Sequence, residues 1–344
     1  MPDIVTERVD HPVAWRARDF ASLVDITVDL TLAQRRSLVA LGRQVRSEGR
    51  GWSDLTANEE ALPELAETLA DIHREVYFGR GVVLLRGLPV DELDENQAAV
   101  AVWALGSHFG RRAAQSALGD VLGRVEVDPN LQQAWRGYRS SSKSRFHTDH
   151  VDGLGLACVR PANSGGASRV VSATAIHNAL AAERPDLLPA LYRGFRMHWF
   201  GEPPAPGEKL TDLDVPVFSW SDGRIVCVLL PSYMEAAAKE MGTALPPSLV
   251  EGFSLIHEIA ERDGMALDFM LQAGDMLLID NKAVLHGRAA FDHNPADLGQ
   301  RLLYRLQFEV LPPRPSHPGV AGYYNGLKYA YRDPGADMSR ANPV

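Results

Sequence analysis

From Gly119 onward the chain is a series of short apolar runs, and each run is closed by Gly, Pro, Asn or Asp. Runs of this kind that are rich in β-branched residues are typical of strands, and the breaks between them are typical of turns. Many short strands with frequent turns favour an antiparallel sandwich or barrel. A hairpin turn is predicted at residues 221–223. The predicted strands lie at residues 155–159, 169–172, 217–220, 225–230, 266–271, 276–279, 283–287 and 302–310.

The first third of the chain has a different pattern. Its apolar residues recur at three- and four-residue spacing among charged residues, which predicts amphipathic helices. The predicted helices span residues 32–46, 63–78 and 95–109, with one strand at 81–86. A further helix, predicted at 247–262, interrupts the later series of strands.

The composition is that of an ordinary globular protein, with 45% hydrophobic and 23% charged residues in a chain of 344. This length is enough to bury a full core. The net charge of -9 disfavours nucleic acid as a partner, because a negatively charged protein repels phosphates.

The sequence also bears on the cellular location. No apolar run reaches the roughly 18 residues that a membrane-spanning helix needs, and the first residues do not resemble a secretory leader. Only two cysteines, Cys158 and Cys227, are present, which is too few for a disulfide framework. We therefore expect a cytoplasmic protein without a membrane partner.

The candidate chemistry begins with His147 and Asp149. Side chains two residues apart in an extended chain point to the same side, so both could bind one metal ion. Alone, this pattern more often belongs to a surface histidine beside a solvated aspartate. Residues 274–288 add a second signal, because they predict a strand, a return and a second strand that ends in His286. Two histidines and one carboxylate form the facial ligand set of many non-haem Fe(II) oxygenases.

Taken together, these motifs resemble the 2-oxoglutarate-dependent oxygenases of the taurine dioxygenase (TauD/TfdA) and clavaminate synthase type. The resemblance extends from about residue 81 to residue 310. The matching motifs, in the family's order, are GVVLLRG at 81–87, FHTD at 146–149, GGAS at 165–168, GD at 274–275, LHGR at 285–288 and RLLYR at 301–305.

The resemblance implies a mainly β protein with flanking helices, whose core is a double-stranded β-helix, or jelly roll. We expect residues 1–344 to form a single oxygenase domain. Within it, residues 1–118 are the helical N-terminal part with one strand, residues 119–311 are the jelly-roll core with a helical insert, and residues 312–344 are a C-terminal extension.

The resemblance also assigns roles. It gives His147, Asp149 and His286 to iron, and it gives Arg301 and Ser168 to the distal carboxylate of 2-oxoglutarate. A planar guanidinium suits that carboxylate because it can form two parallel hydrogen bonds to it. The implied cofactors are Fe(II), 2-oxoglutarate and O2, the last two as co-substrates, and the iron centre itself is the catalyst, without a separate acid or base.

The implied reaction oxidises an unactivated C–H bond of a small molecule and releases succinate and CO2. Related halogenases have Gly or Ala in place of Asp149, so its presence favours hydroxylation or desaturation over halogenation. Desaturation, epimerisation and cyclisation use the same cofactor chemistry and stay open at this point. A zinc hydrolase could use the same three ligands, although Arg301 would then have no role. A jelly-roll binding protein without catalysis is a further alternative.

The substrate itself is not encoded in any recognisable motif. Three arginines near the predicted site favour an amino acid or another carboxylate-bearing metabolite. The candidate substrate-binding residues are Arg305, Arg288, Arg139, His150 and Asp152. Arg288 could equally well form a structural ion pair. Arg301 could instead form a surface salt bridge, and Ser168 could be an ordinary turn hydroxyl. The remaining histidines are expected to be packed or solvated, and a homo-oligomer is compatible with the sequence.

Overall fold

The structure, a computed structural model, describes residues 4–115, 120–126, 143–200, 207–290 and 301–326. The strands are β1 (Thr27–Asp29), β2 (Val82–Arg86), β3 (Arg111–Arg112), β4 (Gly123–Val125), β5 (Ser144–His147), β6 (Gly153–Arg160), β7 (Ser168–Ser172), β8 (Phe218–Ser221), β9 (Arg224–Cys227), β10 (Leu267–Phe269), β11 (Asp275–Asp280), β12 (Val284–Arg288) and β13 (Leu302–Glu309). The helices are α1 (Leu32–Ser47), α2 (Ala57–Glu60), α3 (Ala66–Phe78), α4 (Glu95–Gly106), α5 (Ala173–Glu183), α6 (Leu188–Arg193), α7 (Pro231–Glu240), α8 (Pro247–Glu261) and α9 (Pro318–Gly326).

Two sheets form the centre of the fold. The larger sheet has the strand order β1-β2-β11-β6-β13-β3, and β4 also pairs with β13. The smaller sheet has the order β10-β7-β12-β5. Apart from the parallel pair β1 and β2, the strands of both sheets pair antiparallel. This is the double-stranded β-helix that the sequence predicts.

The two sheets pack face to face through apolar side chains that alternate along the strands. Leu84 of β2 and Leu277 of β11 point inward and share one buried cluster with Val170 of β7 and Val284 of β12. Side chains on one face of a strand are two residues apart. Strands from both sheets therefore contribute to one core, and the site lies within this arrangement.

Helices cover the outer faces of both sheets. The neighbouring residues on β2, such as Val83, face away from the sheet interface and pack against α1, α3 and α4. On the other side, α5, α6, α7 and α8 pack with the β8–β9 hairpin and with Leu285 of β12. None of the helices in these described segments has the length and apolar character required to cross a bilayer.

Most predicted elements are present, with shifted ends. The predicted hairpin turn is formed by Asp222 and Gly223, which both have positive φ values of 54° and 77°. Two consecutive positive φ values match a type I′ turn, which suits antiparallel strands. The strand predicted at 225–230 ends at Cys227, and β12 continues for two residues beyond His286.

Some elements were not predicted. The first 118 residues contain β1 and β3 besides the expected strand β2. The strands β4 and β5 and the helices α2, α5, α6, α7 and α9 were also missed. In α5, residues 173–177 are all buried. The helix therefore lacks the polar stripe by which an amphipathic helix is predicted. The C-terminal helix α9 begins at Pro318 and becomes important at the site.

Candidate active site

The three predicted metal ligands meet at the edge of the smaller sheet. His147 is the last residue of β5, and it lies directly opposite His286 of β12 in the antiparallel register. Asp149 follows two residues after His147. One potential ligand atom from each of these residues lies within 4.8 Å of the others. The register of two neighbouring strands thus brings together side chains that are far apart in the sequence.

The distances between the side chains leave room for an ion at their centre. The Nε2 atom of His147 lies 3.9 Å from Oδ1 of Asp149, and Nε2 of His286 lies 3.9 Å from Oδ2. The two imidazole centroids are 4.3 Å apart. Nδ1 of His147 donates to the carbonyl oxygen of Arg145 at 2.8 Å, which leaves Nε2 as the free, lone-pair nitrogen.

The charge states also suit a metal site. Burial and the neighbouring His147 lower the pKa of His286 to about 3, so its ring is neutral. Burial alone would raise the pKa of Asp149, but the nearby Arg305 and histidines outweigh it and hold the pKa below its ordinary value. One carboxylate and two imidazoles are a donor set that binds Fe(II). The residues present therefore fit a mononuclear iron ion.

The carboxylate of Asp149 is oriented by groups from the larger sheet. Gln307 of β13 donates from Nε2 to Oδ2 at 3.1 Å, and Nη1 of Arg305 lies 3.6 Å from the same oxygen. Arg305 is itself held by Gln115, whose Oε1 accepts from Nε at 2.6 Å. The backbone of Asp149 is held by Asn281, which accepts from its N–H and donates to its carbonyl oxygen, both at 2.8 Å.

A cavity of about 690 Å³ opens beside these residues. At one end it is lined by Ser168, Arg288 and Arg301. Ser168 and Arg288 lie opposite each other in the register of β7 and β12. Burial and the nearby charge of Arg301 lower the pKa of Arg288 to about 10, which leaves this guanidinium group positively charged at neutral pH. A hydroxyl group and two cations together suit a dicarboxylate.

Other parts of the cavity have a more mixed lining. His150 contacts Tyr323 of α9, with 3.0 Å between Nδ1 and the phenol oxygen, and packs edge-on against Tyr233 of α7. Asp152 forms an ion pair of 2.5 Å with Lys282. Helix α9 also places Tyr324 on the cavity wall.

The structure therefore brings nine of the ten predicted site residues to one cavity. The tenth, Arg139, lies outside the described residues. The nine are His147, Asp149, His286, Arg301, Ser168, Arg305, Arg288, His150 and Asp152.

Other residues at the cavity were missed by the sequence analysis. Gln307 could have been found, because it is two residues beyond Arg305 on the same face of a strand. His257 of α8 lines the cavity although no role was expected for it. Lys282 and Tyr324 of the cavity, and Asn281, which holds the backbone of Asp149, gave no sequence signal, since their positions depend on how distant segments pack.

The fold and the ligand set define a mononuclear non-haem iron dioxygenase of the jelly-roll type. The family model described as "Taurine catabolism dioxygenase TauD, TfdA family" matches residues 48–307. The chain therefore belongs to this family, and it is a 2-oxoglutarate-dependent dioxygenase with Fe(II), 2-oxoglutarate and O2 as cofactor and co-substrates.

Comparison with individual proteins agrees with this classification. FR-33289 synthase of Streptomyces rubellomurinus is 25% identical over 339 residues, which cover 96% of this chain and 98% of that protein. Taurine hydroxylase-like protein SAT17 of Stachybotrys chartarum is 27% identical over 315 residues, which cover 87% of this chain and 79% of that protein. A structure of asparagine oxygenase with Fe(II), 2S,3S-3-hydroxyasparagine and succinate has a TM-score of 0.65 at 18% identity, covering 83% of this chain and 93% of that one. At this identity, the structural match shows a shared fold.

Proposed function

We propose that the protein hydroxylates an unactivated C–H bond of a small molecule that carries a carboxylate. In this proposal His147, Asp149 and His286 bind Fe(II), and Arg301 and Ser168 hold the distal carboxylate of 2-oxoglutarate. The single observation that carries it is the common cavity, whose lining holds the three ligands together with the guanidinium groups of Arg288 and Arg301 and with further polar and aromatic side chains.

When bound, iron, 2-oxoglutarate and O2 supply the oxidising power that an unactivated C–H bond requires, with release of succinate and CO2. The chain's own residues position the proposed metal ligands. Gln307 and Arg305 fix the carboxylate of Asp149, and Asn281 fixes its backbone. The apolar packing of both sheets excludes water from the side chains behind the site. Which hydrogen of the substrate reacts then depends on how the cavity orients the substrate.

The substrate class is supported by two observations. The cavity is lined by several cationic side chains, and these favour an anionic substrate even though the whole protein carries a net charge of -9. In addition, the structure of asparagine oxygenase, which shares the fold, contains a hydroxylated amino acid together with succinate. We also propose a cytoplasmic location, because Cys158 and Cys227 are both buried and unbridged.

The first experiment tests cofactor binding without knowledge of the substrate. Under anaerobic conditions, 2-oxoglutarate added to the Fe(II) form should produce the visible metal-to-ligand charge-transfer band. Asp149→Ala should abolish the band and 2-oxoglutarate turnover, whereas Asp212→Ala, at an exposed position, should retain both. A full band and full turnover in Asp149→Ala would refute the proposed ligand set.

The second experiment addresses the substrate. Carboxylate-bearing metabolites are incubated aerobically with the Fe(II) enzyme and 2-oxoglutarate, and succinate is measured against the uncoupled background. A hit should show a mass increase of one oxygen atom. A mass decrease of two hydrogens would instead indicate desaturation and would contradict the proposed hydroxylation.

A further inference from the structure

A buried ion pair lies in the wall of the cavity, outside the iron ligands and the predicted 2-oxoglutarate site. Nζ of Lys282 is 2.5 Å from Oδ1 of Asp152, and the two side chains are 8% and 14% exposed. Oδ2 of Asp152 accepts a hydrogen bond from the backbone N–H of Val310 at 3.0 Å. Both side chains face the cavity.

Lys282 differs from other cations of the cavity in how much of its bonding capacity is used. Arg314 is bound by both oxygens of Asp280, at 2.6 and 2.9 Å. Arg305 is directed at Asp149. In the described part of the chain, the ammonium group of Lys282 has one carboxylate partner and one aromatic contact. An ammonium group has three N–H donors, so Lys282 can still donate to a ligand.

Tyr324 connects this ion pair with the iron ligands. Its ring centroid lies 4.5 Å from Nζ of Lys282, and its hydroxyl group donates to the carbonyl oxygen of Asp149 at 3.4 Å. One tyrosine ring therefore spans the distance between the ion pair and the residue that holds the metal. Asp152 is also only three residues beyond Asp149. A ligand bound to the pair would lie next to the iron site.

The charges of the pair select among ligands. Removing two charges from water is costly, and the attraction between them compensates only when their hydrogen bonds are well satisfied. A ligand with one positive and one negative group can add bonds to both partners and leaves the net charge unchanged. A simple anion would approach Lys282 against the repulsion of Asp152, and a dianion would meet more repulsion still.

We infer that Asp152 and Lys282 form a subsite for the charged head of an amino acid. Asp152 accepts from the ammonium group of the substrate, Lys282 donates to its carboxylate, and Tyr324 bounds the pocket on one side. The head group is held there while the side chain of the amino acid extends toward the iron. This inference rests on the proposed function, because it names the substrate class of the same cavity.

The test begins with the intact enzyme and the proteinogenic L-amino acids, supplied one at a time with 2-oxoglutarate. At least one should raise succinate formation above the uncoupled background. Its N-acetyl derivative and its amide should each be weaker by roughly tenfold or more, since each loses a charge-assisted hydrogen bond. If no amino acid responds, or if the derivatives act equally well, the inference is overturned.

Two variants separate recognition from a structural role. Asp152→Asn should reduce the preference for the free amine over the N-acetyl derivative, and Lys282→Met should reduce the preference for the acid over the amide. A purely structural ion pair would weaken the response to all of these compounds by the same factor, which would contradict the inference. Lys239→Met, the same change at an exposed lysine outside the cavity, should retain both preferences.

The charge-transfer band with 2-oxoglutarate is recorded for every variant. If the wild-type enzyme lacks the band, the proposed function itself has failed. If the band is present in the wild type and in both variants, but the two preferences are unchanged, only the subsite assignment has failed. If a variant loses the band, Lys282→Arg is examined for the same acid-to-amide preference, because this change keeps the charge. Loss of that preference in Lys282→Arg despite a normal band would also refute the assignment.

Discussion

Arg301 and Arg288 place two guanidinium groups beside Ser168 at one end of the cavity. Burial lowers the pKa of Arg301, which means that its charge is partly removed from water. A charged group in such a place gains from an anionic ligand more than an exposed group would. The planar guanidinium can also bind both oxygens of a carboxylate, whereas an ammonium group makes a point contact.

Replacing Arg301 by lysine should therefore weaken 2-oxoglutarate binding while the charge is retained. We expect the half-saturating concentration of 2-oxoglutarate to rise by roughly tenfold or more, because one charge-assisted hydrogen bond is lost. The measurement is the anaerobic titration of the charge-transfer band. Arg36→Lys, on the exposed face of α1, is the matched control. Unchanged affinity in Arg301→Lys would show that Arg301 does not bind the co-substrate.

Gln307 would act on a bound metal through Asp149. Its Nε2 donates to Oδ2 of that carboxylate at 3.1 Å, and leucine at this position has a similar size without the donor. Groups that orient metal ligands typically change affinity by about 10- to 100-fold when they are removed. Gln307→Leu should weaken Fe(II) binding within that range, as measured by anaerobic competition with a chelator. Gln44→Leu, an exposed change on α1, should retain wild-type affinity, and equal affinities for the two variants would contradict the role of Gln307.

Among individual residues, the sequence predicted the pairs whose shared position on a strand face depends only on their spacing along the chain. His147 and Asp149 are two residues apart, and Arg301 and Arg305 are four apart, so each pair shares a face of an extended chain. Neither Lys282 nor Tyr324 could be found in this way. Their contacts depend on the return between β11 and β12 and on the docking of α9, which no short motif encodes.

Among the elements, α9 has the clearest link between packing and the site. Val320 is fully buried in the apolar cluster beneath the helix, and Tyr323 is 1% exposed and bonded to His150. Gly322, on the same helix, is exposed and has open space around its Cα. Val320 thus anchors α9, whereas a side chain added at Gly322 would meet none of the described residues within 4 Å.

Val320→Asp should release α9 from the domain, because it buries an unpaired charge. Chymotrypsin should then cut at Tyr323 or Tyr324 at least roughly tenfold faster than in the wild type, since cleavage follows the population of the open form. Gly322→Asp adds the same charge at the exposed position and should resist cleavage as the wild type does. Equal cleavage rates in the two variants would mean that Val320 does not hold the helix.

Helices were predicted correctly where their polar and apolar residues lie on opposite faces. Helix α1 is amphipathic and was predicted to within a residue, and α8 likewise. Helix α5 is largely buried, so its sequence is apolar on most sides and has no helical period. Helix α7 begins at Pro231, and residues 228–230 connect it to the end of β9 at Cys227. The sequence analysis assigned residues 228–230 to the strand because they continue its apolar run.

For the molecule as a whole, the order of strands was accessible only through the family resemblance. Strand β6 pairs with β11 and β13, which are more than a hundred residues away, and no spacing rule specifies such pairs. The same topology divides the site between the two sheets. His147 and His286 lie on the smaller sheet, whereas Arg301, Arg305 and Gln307 lie at or on β13 of the larger one.

This division predicts that the metal and 2-oxoglutarate stabilise the whole domain together. A ligand that binds only the folded state stabilises it by about 2.7 kcal/mol at a hundredfold excess over its Kd. Because Arg301 would hold one end of 2-oxoglutarate in the proposed site and the metal would hold the other, each ligand should bind more tightly in the presence of the second. The anaerobic Tm should therefore rise by several degrees with Fe(II) and 2-oxoglutarate together, and by more than the sum of the separate increases.

Two variants identify the source of this stabilisation. Asp149→Ala should lose the increase caused by the metal and with it the joint effect, and Arg301→Met should keep the metal increase but lose the contribution of 2-oxoglutarate. Strictly additive increases in the wild type would mean that the two ligands do not share one site. That result would contradict a cavity in which the iron and its co-substrate bind next to each other, since coupling between ligands is reciprocal.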